Sequence, residues 1–445
     1  MASFTKQVIE PLKLTRREQL KLTVAAGAAG LVSVYPGARA FANVDHDLDL
    51  AIEPTRITID GRDHAGIAIG GSVPAPTLRW REGEETVIRV TNRLAEPTSI
   101  HWHGLLLAGV MDGAPGFNGY EAIQPGETYT YRFRLRQAGT YWYHSHSAMQ
   151  EQAGMYGAIV IEPEGRSPVR ADRDYVVVLS DHTAEAPASV LRNLKASSEY
   201  YNQGRRTLVD FFRDVGRNGF GATVRNRLDW GEMRMDPTDM ADVTGYDFLV
   251  NGKGPEDNWT GLFEPGERVR LRIINASAMS FFDVAMPGLP MTVVAADGLD
   301  VVPVKVDEFR FGVGETYDVI VRPTEAKAFS LIAEPLDRSG FARATLAPKA
   351  GMEGEIPPMR PRAVLAMSDM PASHGGHAGH VMPEGAMDHA AMGHDMAGMD
   401  HGKMDHSKMD HAAMGHGASE PEAASAPDDG PPVGWDQAGT PPGAK

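Results

Sequence analysis

Along most of the chain, apolar and polar residues alternate with a period of two. In "TYTYRFRL" (128–135), Tyr129, Tyr131, Phe133 and Leu135 fall on one face, while Thr130, Arg132 and Arg134 fall on the other. "RVRLRI" (268–273) repeats the pattern, with Val269, Leu271 and Ile273 opposite Arg268, Arg270 and Arg272. Both read as half-buried strands, and the Pro-Gly pairs at 125–126 and 265–266 supply a turn just before each. The expected architecture is all-β, a sandwich or barrel.

The pattern also repeats at long range. "GEETVIRVTN" from Gly83 and "GERVRLRIIN" from Gly266 share Gly-Glu, an Arg six residues after the Gly, and an Asn at nine. The offset is 183 residues, and Gly70-Gly71 and Asn251-Gly252 keep an offset of 181. Two related β domains are expected, over 43–168 and 169–370. The second carries an insert near 188–245, where "EYYNQGRRTLVDFFRDV" looks helical rather than alternating.

Both ends depart from this rhythm. Residues 1–42 follow the order of an export signal: Arg16-Arg17, then Leu20-Lys21, an apolar stretch, and a small-x-small site at Ala38-Arg39-Ala40. A twin-arginine signal and a periplasmic destination are expected, and the apolar stretch is too short and glycine-rich for a membrane span. Residues 371–445 have no aromatic or branched core residues after Val381 until the final linker. Between His374 and His416 lie nine of the 16 histidines and eight of the 22 methionines. Met399, Met404, Met409 and Met414 recur every five residues, a period that suits neither helix nor strand. This segment is expected to be disordered without metal. Its candidate ligands are His374, His377, His380, Met387, His389, Met392, His394, Met399, His401, Met404, His406, Met409, His411, Met414 and His416. Thioethers are soft donors for Cu(I), and imidazole serves Cu(I) or Cu(II).

Composition narrows the chemistry. A net charge of −16, from 43 basic and 59 acidic residues, argues against a nucleic-acid partner. The absence of cysteine removes disulfides, thiolate ligands and a cysteine nucleophile together. What remains is histidine. "SIHWHGLL" and "YWYHSHSA" each hold a His-x-His pair, where chance supplies about 0.13 such pairs over the first 370 residues. On a strand, His101 and His103 share a side while Trp102 turns into packing, and His144 and His146 behave likewise around Ser145. If the strands are neighbours, four imidazoles converge about 7 Å apart along each strand, a spacing for two or three shared metal ions rather than one. Imidazole alone does not choose among copper, zinc, iron and nickel. A cupin also uses His-x-His, but its later Glu and further His are not completed here. His46, His64 and His182 stand apart and read as surface or core histidines.

"HWHG", "MDGAPG", "QPGETYTYRFRLRQAGTYWYHSH" and "GMYGAIVIEP" resemble the first cupredoxin domain of multicopper oxidases. "YYNQGRRTLVDFFRDVGRNGFGAT" and "WGEMRMDPTDMADVTGYDFLVNG" narrow the resemblance to copper-resistance oxidases of the CopA and PcoA type. It implies two tandem cupredoxin-like Greek-key β-sandwiches. It makes His101 a type 2 copper ligand and His103, His144 and His146 ligands of a type 3 pair. Asp112, in "MDG", matches an acidic residue that helps move protons beside the trinuclear site.

The same family ends in a third cupredoxin domain bearing His-x-x-His-x-His and His-Cys-His, and this sequence contains neither. Half of the eight cluster ligands are expected here, with no type 1 copper in this chain. Two readings stay open. One is an oxidase of Cu(I) or phenols that needs the third cupredoxin domain from a partner chain or from sequence lost at the C-terminus, with other copper-resistance proteins as candidate partners. The other is a non-enzymatic protein that sequesters copper ions with its Met/His-rich tail.

Overall fold

The computed structural model describes residues 47–370. The expected export signal and the Met/His-rich tail, with every candidate ligand from His374 to His416, lie outside the described residues.

The first sandwich has eight strands. They are β1 (Asp47–Ile59), β2 (Arg62–Ile69), β3 (Ala75–Arg81), β4 (Glu85–Asn92), β5 (His101–His103), β6 (Thr128–Arg134), β7 (Gly139–His144) and β8 (Tyr156–Glu162). One sheet runs β2-β1-β4-β6 and the other β3-β8-β7-β5, with a one-turn helix, α1 (Gly109–Asp112), after β5. The parallel pairs β1–β4 and β3–β8 make the crossovers of a Greek key. β6 alternates as expected: Tyr131 and Phe133 are buried, and Arg132 and Arg134 are exposed. Those rings meet Trp80, Trp102, Tyr143 and Ile159 from the other sheet in one core. Trp102 is wholly buried, on the side of β5 away from its two histidines.

The second sandwich begins with β9 (Arg173–His182), and the insert follows at once. It holds three helices, α2 (Pro187–Ala196), α3 (Leu208–Asn218) and α4 (Phe220–Glu232). Thr207 and Asp210 cap α3 reciprocally, which explains why "RRTLVD" starts a helix in a β protein. The chain then returns through β10 (Asp247–Val250), β11 (Trp259–Leu262), β12 (Val269–Asn275) and β13 (Phe282–Ala285). It continues through β14 (Met291–Ala296), β15 (Leu299–Val306) and β16 (Glu308–Phe311). The last strands are β17 (Thr316–Val321), β18 (Phe329–Pro335) and β19 (Ala342–Ala347). The sheets run β10-β9-β12-β17-β14-β15 and β11-β19-β18-β13-β16, over a core that includes Leu271, Phe282, Phe311 and Leu331.

The internal repeat is structural. Gly70-Gly71 and Asn251-Gly252 both have positive φ and close the turns bridged by Ile69–Ser72 and Val250–Lys253. Asn92 and Asn275 end β4 and β12 in the same way. Each side-chain oxygen accepts from the backbone amide two residues on, and each amide group donates to one carbonyl in the following loop and one across the fold.

One expectation fails. β12 is not half-buried, because every one of its residues is inside, Arg270 and Arg272 included. Its arginine face lies against β7 and β8 of the first sandwich. Arg272 donates to Asp174 at 2.9 Å and to Thr140 at 3.0 Å, and Thr140 donates to Asp318 at 2.8 Å. Arg270 bonds Asp318 as well. The alternation was correct, but the face that looked like a solvent face is an interface.

Candidate metal centre

β7 carries the site and is held on both sides. Tyr141 and Tyr143 point into the first sandwich, while Thr140, Trp142 and His144 share the opposite face, toward the second. The Trp142 indole donates to the Gly314 carbonyl at 3.2 Å, and the Thr316 hydroxyl donates to the Thr140 carbonyl at 3.0 Å. His144 stacks on Trp142, with centroids 4.0 Å apart and 10° between planes. The aromatic run of "YWYHSH" thus fixes the ring from below.

β5 pairs with β7 so that His101 lies opposite His144. His146 stands just past the end of β7. The four imidazoles converge more tightly than two straight strands would bring them. From His101, the centroid distances are 5.6 Å to His103, 5.4 Å to His144 and 4.8 Å to His146. His103 and His146 lie 5.4 and 5.2 Å from His144. The rings turn toward one another, and His146, free of the pleat, folds back over the site. Ligating nitrogens of His101, His103 and His144 all fall within 4.8 Å of one another, and His103 Nδ1 is 3.3 Å from His144 Nε2.

Two carboxylates fix the tautomers. His101 Nδ1 lies 2.9 Å from the Asp112 carbonyl and 3.1 Å from its carboxylate. His144 Nδ1 lies 2.8 Å from Glu151. Each ring therefore keeps its proton on Nδ1 and presents the Nε2 lone pair to the cluster, which is how metal-binding histidines are oriented. Asp112 reaches its place through Gly113, whose φ is +84°. A Cβ there would sit 1.7 Å from the Ile100 carbonyl oxygen, so "MDG" needs its glycine. Burial, and then the neighbouring histidines, lower the His103 pKa to about 4. The same causes lower that of His146. Both rings are thus neutral at pH 7, with lone pairs available to a metal.

The sequence pointed to His101, His103, His144, His146 and Asp112, and all five meet here. It missed Glu151, which sits seven residues past His144 in a loop without a recognisable signal. It also read His64 and His182 as isolated, and that is corrected. They meet edge to face, with centroids 4.5 Å apart and Asp247 beside them. The pairing arises from contact between the two sandwiches.

Two β-sandwiches with imidazoles gathered at the end of one sheet define a cupredoxin-type metalloprotein. The chain belongs to the multicopper oxidase family, whose profiles match residues 51–166 and 173–350. It is 51% identical over 346 residues to a copper resistance protein A homolog of Pseudomonas syringae pv. tomato, covering 77% of this chain and 57% of that one. It is 49% identical over 376 residues to copper resistance protein A of Escherichia coli, covering 82% and 62%. The chain thus spans about three fifths of the length of these curated relatives. Among solved structures it is similar to the blue copper oxidase from Nitrosomonas europaea, at 27% identity and a TM-score of 0.51, covering 68% of this chain and 85% of that one. It is also similar to the laccase from Botrytis aclada, at 26% and 0.53, covering 70% and 55%. Copper is the cofactor the family implies. The donor set fits it: four clustered imidazoles, two of them with their outer nitrogens anchored.

Proposed function

We propose that the first sandwich supplies half of a trinuclear copper centre, in a periplasmic copper-resistance oxidase acting on Cu(I) or phenols. His101 would hold the type 2 copper, and His103, His144 and His146 the type 3 pair. When bound, copper there supplies the redox chemistry that reduces oxygen to water. The protein's own residues do the rest. Asp112 and Glu151 hold Nδ1 of His101 and His144 and so aim their Nε2 atoms inward. Asp112, partly open to solvent, can hold a proton at its carboxylate next to His101. Trp142 and the contact with Gly314 exclude water from behind the rings. The observation that carries this reading is the convergence of four imidazoles, two of them locked by carboxylates.

A type 1 copper needs a thiolate, and these 445 residues contain no cysteine. Turnover would therefore draw on a cysteine-bearing third cupredoxin domain beyond these residues. The test is oxygen uptake by the copper-loaded chain with Cu(I) or a phenol, alone and with a separately expressed third domain bearing His-Cys-His. Background uptake alone, restored by the added domain and abolished again by His101→Ala, is expected. Restored uptake that survives His101→Ala overturns the assignment.

The density of Met and His between 374 and 416 favours a second role, Cu(I) sequestration. Deleting 372–416 should remove most of the Cu(I) bound per chain in competition with a Cu(I) chelator. Equal stoichiometry with and without the segment would make it a linker. Export by the twin-arginine route is tested by Arg16→Lys with Arg17→Lys, which should leave precursor in the cytoplasm.

A further inference from the structure

His182 is buried, and its Nδ1 has no hydrogen-bond partner. The nearest acceptor is the Asp247 carboxylate at 3.6 Å, beyond hydrogen-bonding range but on the same side of the ring. A buried nitrogen left in this state is destabilising unless something not yet in place satisfies it. Around it stand the other donors. His182 and Asp247 are direct cross-strand partners at the ends of β9 and β10. His64 reaches them from β2 of the first sandwich. One ligand atom from each of the three lies within 4.8 Å of the others.

We propose that His64, His182 and Asp247 form a second metal site, for a borderline divalent transition ion, Cu(II) or Zn(II), which clamps the first sandwich to the base of the helical insert. Two imidazoles and a carboxylate, with no sulfur, suit those ions better than Cu(I), Ca(II) or Mg(II). Tetrahedral coordination needs ligand atoms about 3.4 Å apart, so the site closes by about 1 Å on binding. His182 Nδ1 and Asp247 are nearly there already at 3.6 Å, so most of the closure falls to half-buried His64. Exposed Asp247 leaves the fourth position open to water. Burial, and then His64, lower the His182 pKa from its ordinary value, while Asp247 acts the other way.

The position gives the ion a structural task. The insert leaves the sheet after His182 and returns at Asp247, so one ion closes its neck. The neck also adjoins the copper centre. Tyr246 donates to Gln152 at 3.2 Å, Gln152 donates to the Asp181 carbonyl at 3.3 Å, and Gln152 follows the Glu151 that holds His144.

The experiment is anomalous diffraction from crystals of the full chain soaked separately in Zn(II) and Cu(II), with data at each metal's edge. A peak bonded to His64, His182 and Asp247 in either soak is expected, and the two edges tell which ion is held. No peak there, while the four-histidine centre is loaded with copper, overturns the proposal without touching the first assignment. In solution, His64→Ala and Asp247→Asn change partly exposed side chains and should fold. Each should retain one metal ion fewer per chain than the parent after gel filtration, and lose the part of the metal-induced rise in Tm that this site supplies. Metal content equal to the parent's in both variants also overturns it.

Discussion

Arg89 and Arg272 occupy the same place in the internal repeat, six residues after Gly83 and Gly266, and live in opposite environments. Arg89 on β4 faces solvent and pairs with Asp49 at 2.7 Å on the neighbouring strand. Arg272 on β12 is 2% exposed and lies among Asp174, Asp318, Glu162 and Thr140. The two sandwiches share a strand plan, yet only the second turns this face onto its neighbour. The first keeps its special side chains for the end of β5 and β7, where the histidines gather. The difference teaches that one copy of the repeat became a platform and the other the place where the histidines gather.

The sharpest way to break that comparison is to remove each arginine. Arg272→Ala takes from Asp174 its main partner and from Thr140 and Asp318 a second one at a buried interface, and should cost about 3–5 kcal/mol in denaturant unfolding. Arg89→Ala should give a melting curve superimposable on the parent's. Equal losses would mean that the interface does not distinguish the sandwiches.

Glycines give the next largest contrast. Gly113→Ala meets the Ile100 carbonyl oxygen and a left-handed φ together, and should cost more than about 2 kcal/mol and displace Asp112 from His101. Gly266→Ala, with open space around it, should cost only about 1–2 kcal/mol, for its φ. Thermal denaturation with copper titration separates the two, since only the first should weaken copper binding.

Glu151→Gln tests the metal-holding half alone. It removes the charge on His144 Nδ1 but keeps a hydrogen-bonding group, and should weaken copper binding at the four-histidine centre about 10–100-fold with little change in folding. Unchanged affinity there would leave Glu151 a packing residue.

The last contrast is in pH. His103 has a folded pKa of about 4 against 6.5 unfolded. As pH falls below 6.5 the unfolded chain takes up a proton that the folded one refuses. Stability of the metal-free protein is therefore full above 6.5 and falls as pH drops toward 4. The downward shift of His146 adds in the same direction. His103→Gln should flatten this slope in urea titrations at several pH values. An unchanged slope would place its origin in other groups.

The amino-acid order by itself determined the local and periodic features. Period-two alternation marked β6 and β12, and the Pro-Gly pairs marked their turns. The 183-residue repeat marked two sandwiches, and "RRTLVD" with its capping pair lay in a segment that read as helical. The His-x-His pairs were legible because a strand puts residues i and i+2 on one side whatever surrounds it. Tertiary structure alone decided what each face meets. Alternation says that Arg270 and Arg272 share a face, but not that the face is covered. His64 and His182 lie 118 residues apart and on different sandwiches, so nothing local could bring them to one point. Glu151 sits in a loop, where no period fixes the direction of a side chain. Short-range patterns are written in backbone geometry, which every segment carries with it. Long-range convergence depends on how two finished sheets dock, and that is settled only when their buried charges and rings find partners.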